Sequence, residues 1–281
     1  MPIRSFKHKA EELFGIIKGA SGVFRIPEME QFMSSIYCLS LKAKSIDKTD
    51  ITVVLHDLRT GLLSERGFSI KSKLGSPSTL FNANGDNTSF IYQIEGVDQK
   101  HLEAVNSIKF FQAKFAYLET IGASVKFEKL ANRIIQNNLM YVDYCLPEIL
   151  GEVVLLYYCS GFTKLSDLTS FVSDSNPLNF DVDFKQNFYE HKIKRFLTDV
   201  ALGLKPGKPW RGIYEATGGY IIVKEDGELL CYHIYDKNQF EDYLFNNTRL
   251  DTPSTTRHAF GDIYERDGAN YIKLNLQIRF L

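Results

Sequence analysis

The segment from Leu55 to Ala83 contains three side chains that could act together on a phosphodiester bond, namely Asp57, Ser69 and Lys71. If the chain forms a β-hairpin with its turn near Ser64, Asp57 and Lys71 lie almost opposite each other on one face, with Ser69 two residues along. A carboxylate can hold Mg²⁺, and a lysine can orient or deprotonate a water molecule and stabilise the charge that develops on the phosphate. Metal-dependent phosphodiester hydrolysis needs such a set, in which Asp57 would hold the metal ion, Lys71 would act on the water and Ser69 would add an oxygen ligand.

The PD-(D/E)xK nucleases use such an arrangement, with an acid on one strand and an acid-x-Lys sequence on the next. Here the residue two positions before Lys71 is Ser69 rather than Asp or Glu. A second metal carboxylate must then come from elsewhere, and Glu30 on the preceding helix and Glu65 in the turn are both candidates. The alternative interpretation is an exposed strand face with Lys71 in solvent and Asp57 in a turn.

Other motifs are weaker. Asp183-Phe184-Lys185 is a literal D-x-K sequence, but it opens a segment with helical periodicity, which favours an N-cap role for Asp181 or Asp183. The six histidines form no H-E-x-x-H sequence, and the chain contains neither a phosphate-binding G-x-x-x-x-G-K-[ST] nor a G-x-S-x-G sequence. These absences argue against a zinc peptidase, a P-loop NTPase and a serine hydrolase.

Composition limits the class of protein. The 281 residues include 33 Lys+Arg and 34 Asp+Glu, and 44% are hydrophobic, which is typical of a globular protein and excludes a uniformly basic nucleic-acid coat. The four cysteines are scattered, so neither a zinc site nor a disulfide framework is expected. The longest apolar stretch, residues 149–159, is interrupted by Glu152 and is too short to span a bilayer. We therefore expect a soluble intracellular protein.

The elements that must position these side chains alternate between helix and strand. Apolar spacing predicts a helix from Pro27, strands at 50–59, 67–72 and 89–94, two helices across 98–142, a buried helix or strand at 146–159 and a helix at 184–200. From residue 214 the chain is predicted to be β-rich, with hairpins at Asp226-Gly227 and Asp267-Gly268. The order predicts an α+β (mixed α/β) fold, with a core at 1–203 and a β-rich region at 204–281 packed on it as one unit.

The last predicted strand alternates apolar and polar residues. Its polar positions are Lys273, Asn275, Gln277 and Arg279, which carry the side chains best suited to base edges in duplex DNA. A polar sheet face in water would give the same pattern.

Four segments, GFSIKSKLGSPSTLFNA, SFIYQIEG, CYHIYDKNQFEDYLFNNTRLDTPSTTRHAFG and IKLNLQIRF, resemble the HpaII-type family of type II restriction endonucleases. The resemblance runs from about Asp57 to the C-terminus, with gaps in the central helices. It implies a restriction-endonuclease-like core and a Mg²⁺-requiring enzyme that cuts both strands of a short site in double-stranded DNA. It also makes Asp57 and Lys71 the nuclease acid and lysine, with Ser69 in the position of the second acid.

The same resemblance makes the run NTRLDTPSTTRH a DNA-contacting loop. Its candidate residues are Asn247, Arg249, Ser254, Thr255, Thr256, Arg257 and His258. Cutting both strands of a palindromic site favours a homodimer or paired transient monomers. The family further implies a cognate DNA methyltransferase that is not a stable subunit, and a place in the cytoplasm of a prokaryotic cell, away from membranes. Two alternatives stay open, namely a non-catalytic DNA-binding protein on a degenerate nuclease scaffold and a nuclease for structured or single-stranded nucleic acid.

Overall fold

The structure is a computed structural model that describes residues 3–20, 25–38, 48–74, 77–234 and 236–281. Contacts divide the chain into two compact units, one formed by Met1–Ser78 with Glu215–Lys237 and the other by Thr79–Tyr214 with Asn238–Leu281. This division falls elsewhere than the boundary predicted at 203/204, because the segment after Tyr214 returns to the N-terminal unit before the chain continues in the second.

Helices and strands alternate along most of the described chain. The helices are α1 Ile3–Gly19, α2 Pro27–Ser35, α3 Gln99–Ser107, α4 Phe111–Thr120, α5 Arg133–Val142, α6 Leu146–Ser160, α7 Leu165–Ser175, α8 Phe188–Leu202, α9 Lys237–Asn246 and α10 Thr255–His258. The strands are β1 Ile51–His56, β2 Leu63–Ser72, β3 Thr79–Phe81, β4 Ser89–Glu95, β5 Ser124–Leu130, β6 Gly219–Val223, β7 Leu229–His233, β8 Thr248–Leu250, β9 Ile263–Arg266, β10 Ala269–Asn275 and β11 Ile278–Phe280. The predicted α+β class is confirmed.

The first unit contains a four-stranded sheet in the order β1-β2-β6-β7. Strands β1 and β2 pair antiparallel, β2 and β6 pair parallel, and β6 and β7 form the predicted hairpin around Asp226-Gly227. The β-branched residues of β1 favour the extended backbone. Helix α2 begins at Pro27 as predicted, and the later part of that predicted helix, residues 39–47, lies outside the described residues.

The β1–β2 turn lies earlier than the sequence predicts. His56 pairs with Leu63, so the turn occupies residues 57–62 and Ser64 is already inside β2. Gly61 has a φ of +70°, a conformation that glycine adopts without steric cost. The hairpin is confirmed, but the expected turn at 64–67 is wrong, because the chain reverses at Gly61.

The second unit is built on the antiparallel sheet β5-β4-β10-β9 and the small sheet β3-β11-β8. Helix α6 packs on β5 and β10 and buries most of its length, including Leu146, Ile149 and Val153. Each fully buried aliphatic side chain of this kind contributes about 1.5–3 kcal/mol of transfer free energy. The predicted hairpin at Asp267-Gly268 joins β9 and β10, and both turn residues have positive φ.

One prediction of local structure is wrong. Residues 98–142 form α3, α4, β5 and α5 rather than two helices, because Gly122, with a φ of +71°, ends α4 and the next residues alternate as a strand. The C-terminal region is β-rich as predicted, with strands β6 to β11, and it also contains helices α9 and α10. Across the described residues, every helix is too short or too polar to cross a membrane.

Candidate active site and DNA-contacting surface

Strand β2 brings Ser69 and Lys71 to one face of the first sheet. Ser69 is buried and Lys71 is half-buried, and their parallel partners on β6 are Tyr220 and Ile222. Lys71 Nζ lies 5.3 Å from the centroid of the Tyr220 ring, within the range of a cation–π interaction. The predicted strand therefore places the Ser69 hydroxyl and the Lys71 amine side by side on one face.

The carboxylate at this site belongs to Asp50. Because Ile51 pairs with Phe68, the register places residue 50 beside Ser69. Ser69 Oγ donates a hydrogen bond of 3.0 Å to Asp50 Oδ2, and the Ile70 amide donates one of 2.6 Å to the same oxygen. Two donors hold this carboxylate in one orientation, while Asp50 itself remains exposed to solvent.

Burial and charge act in opposite directions on Lys71. Burial lowers the pKa of the Lys71 amine, because desolvation disfavours its charged form, and the negative charge of Asp50 partly offsets this effect. The net pKa lies below the usual value for lysine. The amine can therefore lose its proton at a lower pH than an exposed lysine does.

Asp57 lies in the hairpin turn, away from Lys71. Its amide donates to Leu62 O, and its carboxylate accepts hydrogen bonds from the amides of Arg59 at 2.9 Å and Thr60 at 3.4 Å. A hydrogen bond from the Thr60 side chain, followed by that from the Arg59 amide, lowers the pKa of the Asp57 carboxyl. The expected juxtaposition of Asp57 and Lys71 is wrong, because Leu62, whose carbonyl accepts the Asp57 amide, lies nine positions before Lys71 on the extended chain, or about 30 Å away. Its predicted metal-binding role stays a prediction.

The other predicted carboxylates are not gathered at the site. Glu65 pairs with Val54 on β1, and four strand residues, or about 13 Å, separate it from Ser69. Glu30 is exposed on α2, and within the described residues its carboxylate makes no hydrogen bond. The described part of the chain contains no group of three or more His, Cys, Asp and Glu that could hold a metal ion.

The D-x-K sequence at 183–185 lies in a loop before α8. Asp181 accepts a hydrogen bond from the Asp183 amide, which makes a local turn, and the N-cap of α8 is Asn187. The N-cap role expected for Asp181 or Asp183 is therefore wrong, because α8 begins at Phe188, well after Asp183, and Asn187 is its N-cap.

The predicted DNA-contacting loop at residues 247–258 forms strand β8 and helix α10 in the second unit. Thr255, Thr256 and Arg257 are exposed, and Ser254 caps the helix by accepting a hydrogen bond from the Arg257 amide. His258 Nδ1 instead accepts a hydrogen bond of 3.1 Å from the Gly85 amide. The exposed side chains are free to meet a ligand, whereas His258 connects α10 to another loop.

Arg249 and Arg279 lie opposite each other on β8 and β11. Arg279 forms an ion pair with Asp251 at 2.8 Å, which holds its guanidinium against the protein. Arg249 Nε is buried and has no hydrogen-bond partner among the described residues.

The polar residues of the last predicted strand do not form an exposed face. Asn275 and Gln277 are 1% and 8% exposed, and Lys273 forms an ion pair with Asp86 at 3.0 Å. The expectation that these side chains face a DNA groove is wrong for Asn275 and Gln277, because both are buried. The Asn275 side chain is hydrogen-bonded to Thr88, Gly85 and Ser89. Gln277 lies in the segment between β10 and β11.

A cleft of about 500 Å³ lies beside α10. Lysines 109, 114 and 273 line it together with Thr255 and Thr256. Lys114 is buried and donates to Gly261 O at 2.5 Å and to Asp262 Oδ1 at 3.4 Å, while Lys109 is exposed and makes no ion pair with a described residue. Burial, opposed by Asp262, lowers the pKa of Lys114.

Asp50, Ser69 and Lys71 lie together at a mixed sheet, and the chain also has a lysine-lined cleft. A carboxylate, a hydroxyl and lysines are the groups that a nuclease of the α+β class requires. The sequence model of the HpaII restriction endonuclease family matches residues 1–280. The chain is also 48% identical over 283 residues to the type II restriction enzyme HpaII of Haemophilus parainfluenzae, a match that covers all of this chain and 79% of that enzyme.

The chain therefore belongs to the HpaII restriction endonuclease family and is a type II site-specific deoxyribonuclease, which confirms the resemblance seen in its sequence. Its substrate is DNA, and type II restriction endonucleases generally use a divalent metal ion. No solved structure matches the chain.

Proposed function

We propose that the enzyme uses Mg²⁺ to hydrolyse both strands of a short duplex site, and that Asp50, Ser69 and Lys71 form its active site. One observation carries this assignment: Ser69 Oγ and the Ile70 amide fix the Asp50 carboxylate on the strand that also bears the half-buried Lys71. Asp50 thereby takes the position that the sequence assigned to Asp57.

The donor set fits Mg²⁺. Asp50 Oδ2 accepts two hydrogen bonds, whereas Oδ1 accepts none from the described residues and is exposed to solvent. Mg²⁺ commonly keeps several of its waters and takes only one or two protein carboxylates together with substrate phosphate, so a single carboxylate here suffices to recruit it. When bound, the ion supplies positive charge that polarises the phosphate and stabilises its developing negative charge.

Each protein group then has a defined task. The neutral Lys71 amine accepts a proton from the attacking water, whose oxygen forms a bond to phosphorus as the bond to the leaving oxygen breaks. Burial of Lys71 supports this role because it lowers the pKa of the amine toward the operating pH. Ser69 and the Ile70 amide keep Asp50 from rotating away from the metal.

Replacing Asp50 or Asp57 separates the two assignments. We expect Asp50→Ala to reduce single-turnover cleavage at least 100-fold, because the carboxylate that recruits the metal is lost. We expect Asp57→Ala to retain cleavage within about fivefold, because the Asp57 carboxylate is exposed and accepts hydrogen bonds only within its own turn. Cleavage of a short duplex that carries the mapped recognition site measures both.

Binding of the same duplex in EDTA serves as the control, since both variants should bind like the unaltered protein when no metal is present. The reverse pattern, with cleavage lost in Asp57→Ala and kept in Asp50→Ala, would restore Asp57 as the metal ligand and overturn the assignment of Asp50.

Helix α10 and the adjoining cleft are proposed to hold the DNA. Exposed Thr255, Thr256 and Arg257 can contact phosphates, as can the unpaired Lys109, and such contacts position a protein on its duplex. A contact from Arg249 stays a prediction.

We also propose that the enzyme acts as a homodimer, because each chain carries one such site in its described residues and two strands must be cut. Sedimentation velocity with and without the duplex tests this, and a monomer in both samples would contradict it.

We further propose that a cognate methyltransferase protects the host site and acts as a separate protein in a prokaryotic cytoplasm. Its test is resistance of DNA from the source cell to cleavage by this enzyme.

A further inference from the structure

A tight turn at residues 84–88 is fixed from several sides. Gly85 has a φ of +51°, and its carbonyl accepts hydrogen bonds of 3.0 Å from Ser89 Oγ and from Asn275 Nδ2. Its amide donates to His258 Nδ1 at 3.1 Å. The backbone of Gly85 is thus tied to β4, to β10 and to helix α10.

Buried polar side chains complete this support. Thr88 Oγ1 accepts a hydrogen bond of 2.8 Å from the Asn84 amide and donates one of 2.9 Å to Asn275 Oδ1. Thr88, Ser89 and Asn275 are each at most 1% exposed. Burying three polar side chains is costly unless all of them are hydrogen-bonded, as they are here, and the result is a turn with little freedom to move.

Two amide side chains project from this rigid turn without partners. Asn84 is exposed and Asn87 is half-buried, and neither amide makes a hydrogen bond to a described residue. A Cβ atom built on Gly207 would lie 3.4 Å from Asn87 Nδ2 and 3.5 Å from Asn84 Nδ2, so the two amides are neighbours. A pair of unsatisfied amides on a fixed support is the arrangement that direct readout of base edges requires, since an asparagine can donate and accept at once.

The surroundings of the turn suit a nucleic acid. Asp86 is paired with Lys273, which neutralises the one acidic side chain of the turn, and Lys273 also lines the cleft with Lys109 and Thr255. Phosphate contacts from this cleft would fix the register of a duplex while the amides read it.

We propose that Asn84 and Asn87 read base edges in the target site, and that Asn275, Thr88 and His258 are positioning residues that hold the turn for this purpose. The inference rests on the DNA-cutting function of the family and is independent of the assignment of Asp50.

Binding measured in EDTA tests the proposal without any cleavage. The probes are a short duplex that carries the mapped recognition site and a duplex of the same composition with that site scrambled. We expect Asn84→Ala and Asn87→Ala each to weaken binding of the site duplex about 10-fold or more, because each removes one base-edge contact. Binding of the scrambled duplex, and its salt dependence, should not change.

Asn246→Ala is the matched control, because Asn246 is an exposed asparagine on α9 whose amide bonds only within its own helix. It should bind both duplexes as the unaltered protein does. Equal weakening of both duplexes by the turn variants would show phosphate contact instead of readout, and unchanged binding of both would remove the turn from the interface. Either result overturns the proposal. An error in the Asp50 assignment would alter cleavage only and leave these affinities as expected.

Discussion

For Lys71, the sequence predicted its place on the strand correctly but predicted the wrong neighbouring carboxylate, Asp57 instead of Asp50. The alternation around Lys71 and Ser69 marks them as neighbours on one strand face, whatever the rest of the chain does. The identity of the facing carboxylate depends on where the hairpin turns, and reversal at Gly61 substitutes Asp50 for Asp57. Local pattern thus predicted that Ser69 and Lys71 are neighbours, and the strand register places Asp50 rather than Asp57 beside Ser69.

The lowered pKa of Lys71 predicts a pH dependence. As the pH rises toward that pKa, more of the amine is neutral and able to accept a proton, so the single-turnover rate should rise with pH and level off above it. Lys71→Arg keeps the positive charge but remains protonated, so we expect at least a 100-fold loss of rate and loss of this pH slope. A Lys71→Arg enzyme with normal rate and pH profile would show that Lys71 supplies charge alone.

At the scale of elements, the sequence predicted those strands and hairpins whose signals are local. The turns at Asp226-Gly227 and Asp267-Gly268 occur where expected, because these pairs accept positive φ. Strand β5 was not predicted, although Val125 and Phe127 alternate with lysines and a glutamate. Whether a short alternating run becomes strand or helix depends on its neighbour, here β4, which sequence pattern does not reveal.

The turn at 84–88 illustrates the same limit in the candidate binding surface. Asn275 stands in an alternating strand and its polarity suggested exposure, but its side chain lies inside and satisfies groups that are distant in sequence. Asn84 and Asn87, which we propose to read base edges, belong to no sequence motif. The one available signal is the density of Asn, Gly and Thr between two strands, which predicts only a loop.

Asn275→Ala should therefore destabilise the protein. The substitution leaves Gly85 O and two buried hydroxyls short of a partner, which costs about 1–3 kcal/mol of the free energy of unfolding. Urea denaturation measures this cost, and Asn84→Ala is the control, since loss of an exposed amide changes the free energy by less than about 0.5 kcal/mol. Equal stability of Asn275→Ala and the unaltered protein would mean that the buried network does not hold the turn.

For the whole molecule, composition fixed the class but not the arrangement. A net charge near zero is compatible with a nuclease, because DNA binding needs positive side chains only on the contacting surface. The cleft lined by Lys109 and Lys273 is one such local concentration of lysines. The division into units could not be read from sequence, because the segment that forms β6 and β7 returns to pair with β2 far earlier in the chain. Such long-range pairing leaves no local signature.

The most direct test of the central claim is digestion of unmethylated phage DNA by the purified protein, with Mg²⁺ in one sample and EDTA in the other. A metal-dependent, site-specific endonuclease should give discrete bands with Mg²⁺ and intact DNA with EDTA, and sequencing of the ends should return one short site. Identical bands in both samples would contradict the metal requirement. A smear, or intact DNA in the presence of Mg²⁺ from a folded protein, would contradict site-specific cleavage itself.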